Sequence, residues 1–289
     1  MIYLSSFIFP SNDDEFEFFR GQNMTCYTDY YPFGVFREKE LPKFIFSHIT
    51  VLYGGNGSGK TTALNIMGEA LHLQRDSVYN RSSFFEAYTN MCGYELNTSL
   101  PENSRVITSD DVFDYSLNIR NLNSRIDNKR EELLDEYAEY TSEKYADYRF
   151  SGMEDYDRLK RVKSARTLTK SKYVKEKLMS NVRGHSNGEN AYFFFFERLK
   201  ENGLYLLDEP ENSLSPKRQI EILEIIEDSA QYLGCQFIIA THSPFLLAAK
   251  KAQIYDLDSE PISVKQWTEL ENVKIYYDFF KKHSGEFDK

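Results

Sequence analysis

A glycine-rich run lies between an apolar segment and a helical pattern, and it constrains the fold more than any other part of the chain. Residues 54–62 read G-G-N-G-S-G-K-T-T, which satisfies the spacing G-x-x-x-x-G-K-[S/T]. Apolar residues 49–53 precede the run, and Ala63, Leu64 and Ile66 follow it at helical spacing. A strand, loop and helix in this order predict a phosphate-binding loop, because backbone N–H groups and a helix N-terminus would face the phosphate. An ordinary glycine-rich turn would need neither flanking element.

Two side chains of this loop predict that the phosphate belongs to a nucleotide held with a metal ion. Lys60 can reach the β- and γ-phosphates, and the Thr61 hydroxyl can bind Mg²⁺. We therefore expect ATP and Mg²⁺ as cofactors, with Lys60 also acting in catalysis. The residues expected to contact the nucleotide here are Gly54, Gly55, Asn56, Gly57, Ser58, Gly59, Lys60, Thr61 and Thr62.

Two further apolar runs end at polar residues. Residues 204–207 precede Asp208, and residues 237–240 precede Thr241 and His242. Apolar runs without alternation are typical of buried parallel strands, and ligands bind beyond the carboxyl ends of such strands. We therefore expect an α/β fold of the P-loop NTPase type, with a mostly parallel sheet flanked by helices. We also expect the sheet to extend through both ends of the sequence.

An acidic pair, Asp208 and Glu209, follows the second apolar run directly. With a phosphate-binding loop upstream, Asp208 would bind the Mg²⁺ ion, and Glu209 would polarise the water that attacks the γ-phosphate. Taken alone, an acidic pair after a strand is also an ordinary beginning of a loop. The upstream loop favours the catalytic interpretation.

A segment of different character interrupts the chain at about residues 117–183. It is charged, rich in tyrosine and nearly free of glycine and proline, which predicts a helical insertion. Within it, residues 158–177 contain nine basic residues and a single acid, Glu176. They are either a solvated helix face that balances acidic residues 131–157 or a phosphate-contacting patch for nucleic acid. The basic residues are Arg158, Lys160, Arg161, Lys163, Arg166, Lys170, Lys172, Lys175 and Lys177.

Composition bounds the cellular context. A net charge of −10 argues against a protein coated with nucleic acid or anionic lipid, although it leaves a local basic patch possible. The longest apolar run, residues 191–196, is far shorter than a membrane span. Three scattered cysteines, Cys26, Cys92 and Cys235, suit a reducing compartment. We expect a cytoplasmic protein without a signal peptide and without a membrane partner.

The motifs as a set resemble those of the ABC-type ATPases, in the form shared by SMC-, RecF- and OLD-like proteins. Residues 185–189, H-S-N-G-E, are similar to the signature motif that ends in glutamate. Residues 211–215 occupy the D-loop position, and residues 240–244, A-T-H-S-P, resemble the switch-histidine motif. The sequence is most similar to small stand-alone bacterial ATPases of this superfamily.

This resemblance implies a composite site between two subunits. Lys60, Thr61, Asp208, Glu209 and the catalytic His242 of one subunit would meet the signature residues of another across the nucleotide. Those signature residues are Ser186, Gly188 and Glu189. The residues agree with this interpretation, because a serine and a glycine ahead of a helix that starts near Ala191 form a second helix-terminus anion site. A polar helix cap is the alternative.

The sequence departs from the family at the Q-loop, whose metal-binding glutamine has no counterpart. A strand-like segment, residues 105–108, leads instead to Asp110, which we expect to serve as a metal ligand in its place. No motif in the sequence identifies the residues that would contact the adenine base. Tyr31, Phe33 and Phe36 could stack on the base, but packing in the core is the favoured interpretation.

The leading functional hypothesis is a single ATPase domain that acts as an ATP-driven dimerisation switch. It would work in DNA metabolism or antiviral defence with a partner effector protein, and hydrolysis would reset the dimer. One alternative is the cytoplasmic ATPase subunit of a membrane transporter, against which the glutamate-ending signature and the missing Q-loop glutamine argue. Another is a nucleotide-gated scaffold with negligible turnover, which Glu209 disfavours.

Overall fold

The chain divides into two units. A computed structural model describes residues 1–21, 26–39, 41–145, 156–181, 187–212 and 214–287. The first unit, here called the sheet unit, comprises Met1–Phe113 and Asn187–Lys289, and the second, the helical unit, comprises Asp114–Ser186. The described strands are β1 (Leu4–Ile8), β2 (Phe44–Ile45), β3 (Ile49–Tyr53), β4 (Gly93–Leu96), β5 (Arg105–Thr108), β6 (Leu204–Asp208), β7 (Gln236–Ala240), β8 (Gln253–Asp256) and β9 (Ser263–Lys265).

The central sheet has six strands in the order β5-β6-β7-β3-β8-β9. All neighbours are parallel except the edge strand β9, which is antiparallel to β8. Every residue of β3, β6 and β7 is buried, as expected for apolar runs without alternation. Since Ala240 lies opposite both Leu52 and Asp208, the carboxyl ends of these three strands lie side by side. The predicted mostly parallel sheet is confirmed.

The N-terminal strands belong to a second sheet. Strands β2, β1 and β4 form a three-stranded antiparallel sheet, so the expectation that the parallel sheet extends to the N-terminus is wrong. Ile8 and Ile45 are exposed, which gives these strands a solvent face that a central parallel strand lacks. Phe7 and Phe44 contribute to the same hydrophobic core as Leu206 of the six-stranded sheet.

Two of the helices begin at serine–proline pairs in the sequence. Pro216, whose fixed φ suits the first helical position, begins a helix that ends at Tyr232, and Ser243 caps a single-turn helix by accepting from the N–H groups of Phe245 and Leu246. The described helices are α1 (Asn12–Arg20), α2 (Lys60–Ala70), α3 (Phe85–Met91), α4 (Ser109–Thr141), α5 (Tyr156–Thr167), α6 (Lys170–Lys177), α7 (Asn187–Arg198), α8 (Pro216–Tyr232), α9 (Pro244–Leu247) and α10 (Glu271–Lys282). None of them is both long and apolar enough to cross a membrane.

The helical unit has a small core of its own. Helices α5 and α6 and the C-terminal part of α4 contribute the buried side chains Leu133, Val162 and Tyr173. The Tyr173 hydroxyl donates to Glu136 Oε1 (2.6 Å), and Lys177 Nζ lies 3.3 Å from the same oxygen. The carboxylate of Glu136 therefore ties α6 to α4 within this unit.

Candidate functional site

The glycine-rich loop joins β3 to α2 and requires glycine at particular positions. Gly57 and Gly59 have φ values of +81° and +96°, in the left-handed region that glycine adopts without strain. A Cβ atom at Gly59 would lie 2.6 Å from the Phe36 ring, so a larger residue would also clash. The loop therefore has the compact curl that the motif predicts, with α2 beginning at Lys60.

Lys60 lies across this loop. Its side chain is buried, and Nζ donates to the carbonyl oxygens of Gly54 (2.7 Å) and Gly55 (2.9 Å). Phosphate oxygens are stronger acceptors for an ammonium than neutral carbonyls are. A polyphosphate in the loop would therefore have a cation available at the position that the motif predicts.

Thr61 and Asp208 come together from two distant motifs. Thr61 Oγ1 donates to Asp208 Oδ1 at 3.0 Å, which joins the start of α2 to the end of β6. The pKa of Asp208 is raised to about 6, chiefly by burial and also by the charge of Glu209, although the Thr61 hydrogen bond and Lys60 act in the opposite direction. A hydroxyl and a carboxylate oxygen are ligands that suit Mg²⁺, so these two residues fit the predicted metal site.

Glu209 occupies a constrained position next to His242. Its φ of +46° lies in the left-handed region, and its backbone N–H donates to Ala240 O at 2.9 Å. Glu209 Oε2 accepts from Asn212 Nδ2 (3.0 Å), and Oε1 lies 3.8 Å from His242 Nδ1. Two of the three side chains that the sequence proposes for catalysis, Glu209 and His242, therefore lie together at the ends of β6 and β7.

Glu211 is the first residue of the D-loop-like segment, and the sequence predicted no contact for its side chain. Its side chain is buried, and Oε1 accepts from Thr241 Oγ1 (2.5 Å), His242 N (3.0 Å) and Ser243 N (3.2 Å). This one oxygen holds the loop after β7 against the loop after β6. Its position two residues after Glu209 was the available signal, but the contacts depend on the neighbouring strand.

The loop is also held by residues far away in the sequence. Asp258 Oδ2 accepts from Gly55 N at 2.5 Å, although the two residues are 203 positions apart. Lys39 Nζ donates to Ser58 O (2.9 Å) and to Leu257 O (2.8 Å). Neither Asp258 nor Lys39 belongs to a sequence motif, so the sequence did not predict these contacts.

The aromatic residues before the loop pack in the interior. Phe33 and Phe36 are buried in the main core, which confirms the packing interpretation for these two. Tyr31 lies at the loop instead, where its hydroxyl donates to Thr62 Oγ1 at 3.1 Å.

Asp110 lies in the first turn of α4, after the strand that neighbours β6. The adjacent Asp111 is buried and accepts from Thr108 N (2.7 Å) and Thr108 Oγ1 (3.0 Å), and its own N–H donates to Thr108 Oγ1 (3.4 Å), so Thr108 and Asp111 form the capping box of this helix. Burial lowers the pKa of Arg75, and Asp111, Asp208 and Asp110 partly offset that effect. Asp110 thus contributes to the same electrostatic environment as Asp208, and its role as a metal ligand stays a prediction.

The signature residues are only partly described. Ser186 lies outside the described residues, and Gly188 and Glu189 belong to the first turn of α7. This helix begins at Asn187, four residues before the start expected near Ala191, so the glycine is inside the helix rather than ahead of it. Its backbone N–H group remains in the N-terminal turn, where helical N–H groups lack internal partners. Contact of these residues with a second subunit stays a prediction.

Two family models match the chain. A model described as "ABC transporter" matches residues 45–212, which is more than half of the sequence and includes the glycine-rich loop, Asp208 and Glu209. An AAA domain model, whose description refers to a type IV toxin–antitoxin system, matches residues 186–248. No curated protein matches.

The solved structures that are similar to the chain share little sequence with it. One is the Smc head domain of Pyrococcus furiosus bound to the C-terminal domain of ScpA, with 13% identity, coverage of 82% of this chain and 94% of that chain, and a TM-score of 0.39. Another is a dimeric ATP-binding cassette in a post-hydrolysis state with ADP and Pi, with 14% identity, coverage of 79% and 90%, and a TM-score of 0.37.

Proposed function

Because this chain belongs to the ABC transporter family, whose members are ATP-hydrolysing cassettes, we propose that it is a Mg²⁺-dependent ATPase that closes as a dimer around ATP. One observation carries the proposal. The ends of three adjacent strands bring together the Lys60 ammonium, the Thr61–Asp208 pair and the Glu209–His242 pair. These are the groups that binding and hydrolysis of a nucleotide triphosphate require.

Each group has a distinct part in the reaction. The loop N–H groups and Lys60 bind the phosphates, and Thr61 and Asp208 would hold Mg²⁺, which neutralises charge on the β- and γ-phosphates. Glu209 accepts the proton of a water whose oxygen attacks the γ-phosphorus. The bond from that phosphorus to the bridging oxygen breaks, which leaves ADP and inorganic phosphate. His242 lies within reach of Glu209 and would orient the same water or phosphate.

A candidate second anion site supports dimer closure. Ser186, Gly188 and Glu189 form the signature-like motif in the sequence; Gly188 and Glu189 lie in the first turn of α7, and a helix N-terminus favours phosphate. A cassette that binds the same γ-phosphate from both subunits would open after hydrolysis. We propose this cycle as the switch.

The cellular role follows from the form of the motifs. The signature that ends in Glu189 and the absence of a Q-loop glutamine from the sequence favour DNA metabolism or defence, with a partner effector protein. The AAA domain match, described by reference to a toxin–antitoxin system, supports the defence role. The ABC transporter description keeps a transporter ATPase subunit as the second candidate, and co-purification with a membrane-spanning subunit would favour it.

Lys60→Ala tests the nucleotide site directly. The variant loses the charge-assisted contact to the polyphosphate, so ATP binding and turnover should both be abolished. Lys250→Ala is the matched control, because Lys250 is an exposed lysine paired with Glu227 on another surface. ATPase activity of the Lys60 variant within about twofold of wild type, about 0.4 kcal/mol, would contradict the assignment.

A further inference from the structure

Glu211 lies next to the ring of His242 as well as next to the backbone beside it. Its Oε1 accepts from Thr241 Oγ1 (2.5 Å) and from the N–H groups of His242 (3.0 Å) and Ser243 (3.2 Å). The same oxygen lies 3.5 Å from His242 Nδ1. A neutral amide oxygen could accept the three hydrogen bonds of the loop, so holding the loop does not require the negative charge of Glu211.

That negative charge lies in the interior of the protein. Glu211 is 6% exposed, and among the residues that the structure describes its Oε2 atom has no hydrogen-bond partner. Charges act more strongly on their neighbours in such a low-dielectric environment than they do in water. The carboxylate of Glu211 therefore acts on the imidazole ring beside it with little compensation from other donors.

Glu209 places a second carboxylate next to the same nitrogen. Its Oε1 lies 3.8 Å from His242 Nδ1. A lone pair on Nδ1 would face two negative charges, whereas an N–H group at that position is attracted to both. A neutral imidazole has one N–H group and one acceptor nitrogen, and the group beside one nitrogen decides which of the two carries the proton. The two carboxylates therefore favour the proton on Nδ1, which leaves Nε2 as the acceptor.

The protonation of Nε2 determines what the ring can bind. Since the His242 side chain is 47% exposed, water can reach it. An Nε2 atom without a proton can only accept a hydrogen bond. At pH 8 the ionised γ-phosphate of ATP offers acceptor oxygens, whereas a water molecule has hydrogens to donate. In this tautomer the ring binds the attacking water rather than the phosphate.

We propose that Glu211 is a positioning residue that fixes His242 as the Nδ1–H tautomer, so that Nε2 accepts a hydrogen bond from the attacking water. The assignment rests on the proposed ATP hydrolysis and gives His242 one partner in it. In Ser-His-Asp triads a buried carboxylate next to Nδ1 fixes the imidazole in the same way. Glu211 acts through His242 and contacts neither the water nor the nucleotide.

A double-mutant cycle at pH 8 tests this role. Glu211→Gln keeps an oxygen that accepts from the loop and removes the charge, so kcat for ATP hydrolysis should fall about tenfold or more while KM for ATP changes less than about twofold. In a His242→Ala background the same substitution should change kcat by less than about twofold, because the ring through which Glu211 acts is gone. Glu224→Gln, at an exposed position of α8, is the matched control and should leave kcat unchanged. Equal losses of kcat in both backgrounds would indicate a purely structural role and would overturn the proposal.

Nitrogen NMR of the nucleotide-free protein tests the tautomer without hydrolysis. In protein labelled with ¹⁵N-histidine at pH 8, the ring signals that disappear in His242→Ala belong to His242. The wild-type ring should carry its proton on Nδ1, and Glu211→Gln should shift it towards the Nε2–H tautomer, whereas Glu224→Gln should not. A wild-type ring with its proton on Nε2, or a tautomer unchanged by Glu211→Gln, would sink the proposal. A protein that hydrolyses no ATP but shows both expected NMR results would contradict the ATPase function while supporting the role of Glu211 at the ring.

Discussion

At the scale of a residue, Asp208 shows the electrostatic cost of burying an ionisable group in the site. It is buried at the end of β6 next to Glu209, and its pKa is raised to about 6 by that burial. The ionised form that would bind Mg²⁺ is therefore disfavoured in the free protein. A bound cation would offset the cost of desolvation, which couples metal binding to the ionisation of this carboxyl.

Asp208→Asn should stabilise the protein in Mg²⁺-free buffer at high pH. A pKa raised from 3.8 to about 6 means that the folded state binds more protons than the unfolded state between these values, so stability falls as pH rises through this window. Above it the ionised carboxylate costs roughly 3 kcal/mol, which the amide avoids. Urea unfolding at pH 8 should show the variant more stable by about 1–3 kcal/mol, with a smaller difference at pH 5. A less stable variant at pH 8 would contradict this account, and exposed Asp228→Asn should change little.

Asp258 should set how firmly the loop binds ATP. Its hydrogen bond to Gly55 N is charge-assisted, and such bonds contribute about 1.5–3 kcal/mol. Asp258→Ala should therefore raise KM for ATP about tenfold while kcat changes less, since the catalytic groups remain. Asp258→Asn keeps an acceptor oxygen and should retain most of the affinity, and exposed Asp228→Ala is the control. Tighter ATP binding by the alanine variant would show that the carboxylate repels phosphate instead of holding the loop.

At the scale of an element, the basic residues of α5 and α6 divide into two groups. Lys177 contacts Glu136, and Lys172 lies 3.9 Å from Glu176, so some of these charges interact with acids inside the helical unit. Lys160, Arg161 and Lys163 are exposed, whereas Val162 and Ala165 between and beside them are buried. The helix therefore directs three neighbouring positive charges to solvent, which supports a phosphate-contacting surface.

Charge reversal of Lys160, Arg161 and Lys163 should weaken DNA binding. Each phosphate contact on duplex DNA contributes a slope of about −0.9 to the dependence of log affinity on log salt, so the variant should also show a flatter slope. Reversal of Lys217, Lys250 and Lys251, three exposed lysines elsewhere, changes the net charge equally and is the control. If the wild-type protein with ATP binds no duplex or single strand at low salt, the basic residues serve the helical unit alone.

At the scale of the whole molecule, the proposed ATP-driven cycle depends on two groups of residues. The loop, Asp208 and Glu209 lie at the ends of adjacent strands, and the signature-like motif continues into α7. Contact between the first group of one chain and the second group of another is what would make ATP the bridge between two copies.

Glu209→Gln should accumulate as an ATP-bound dimer. The amide removes the proposed base for hydrolysis and leaves Lys60, Thr61 and Asp208 in place. ATP should therefore still bind, and the dimer should stay closed because the bound ATP is not hydrolysed. Light scattering with saturating Mg-ATP should give the dimer mass. Adding Ser186→Arg should abolish the dimer through a clash across the interface. A monomer before that last change would refute the bridging model.

Local patterns in the sequence determined the parts of the site that are continuous in the chain. The loop, the carboxylates after β6 and the histidine after β7 each follow an apolar run, and strand ends in a parallel sheet meet at one edge. The start of helix α8 was predictable from Ser215 and Pro216, because the fixed φ of proline favours the first helical position and acts within one turn.

Tertiary structure alone decided which distant residues complete the site. Asp258 and Lys39 contact the loop from opposite parts of the sequence, and Glu211 contacts the neighbouring strand's loop. The sequence around each of them is that of an ordinary loop, so no local pattern identifies them as residues of the site. The placement of β1 in a second sheet was likewise decided by strand pairing, which depends on the surfaces that pack together rather than on the strand's own residues.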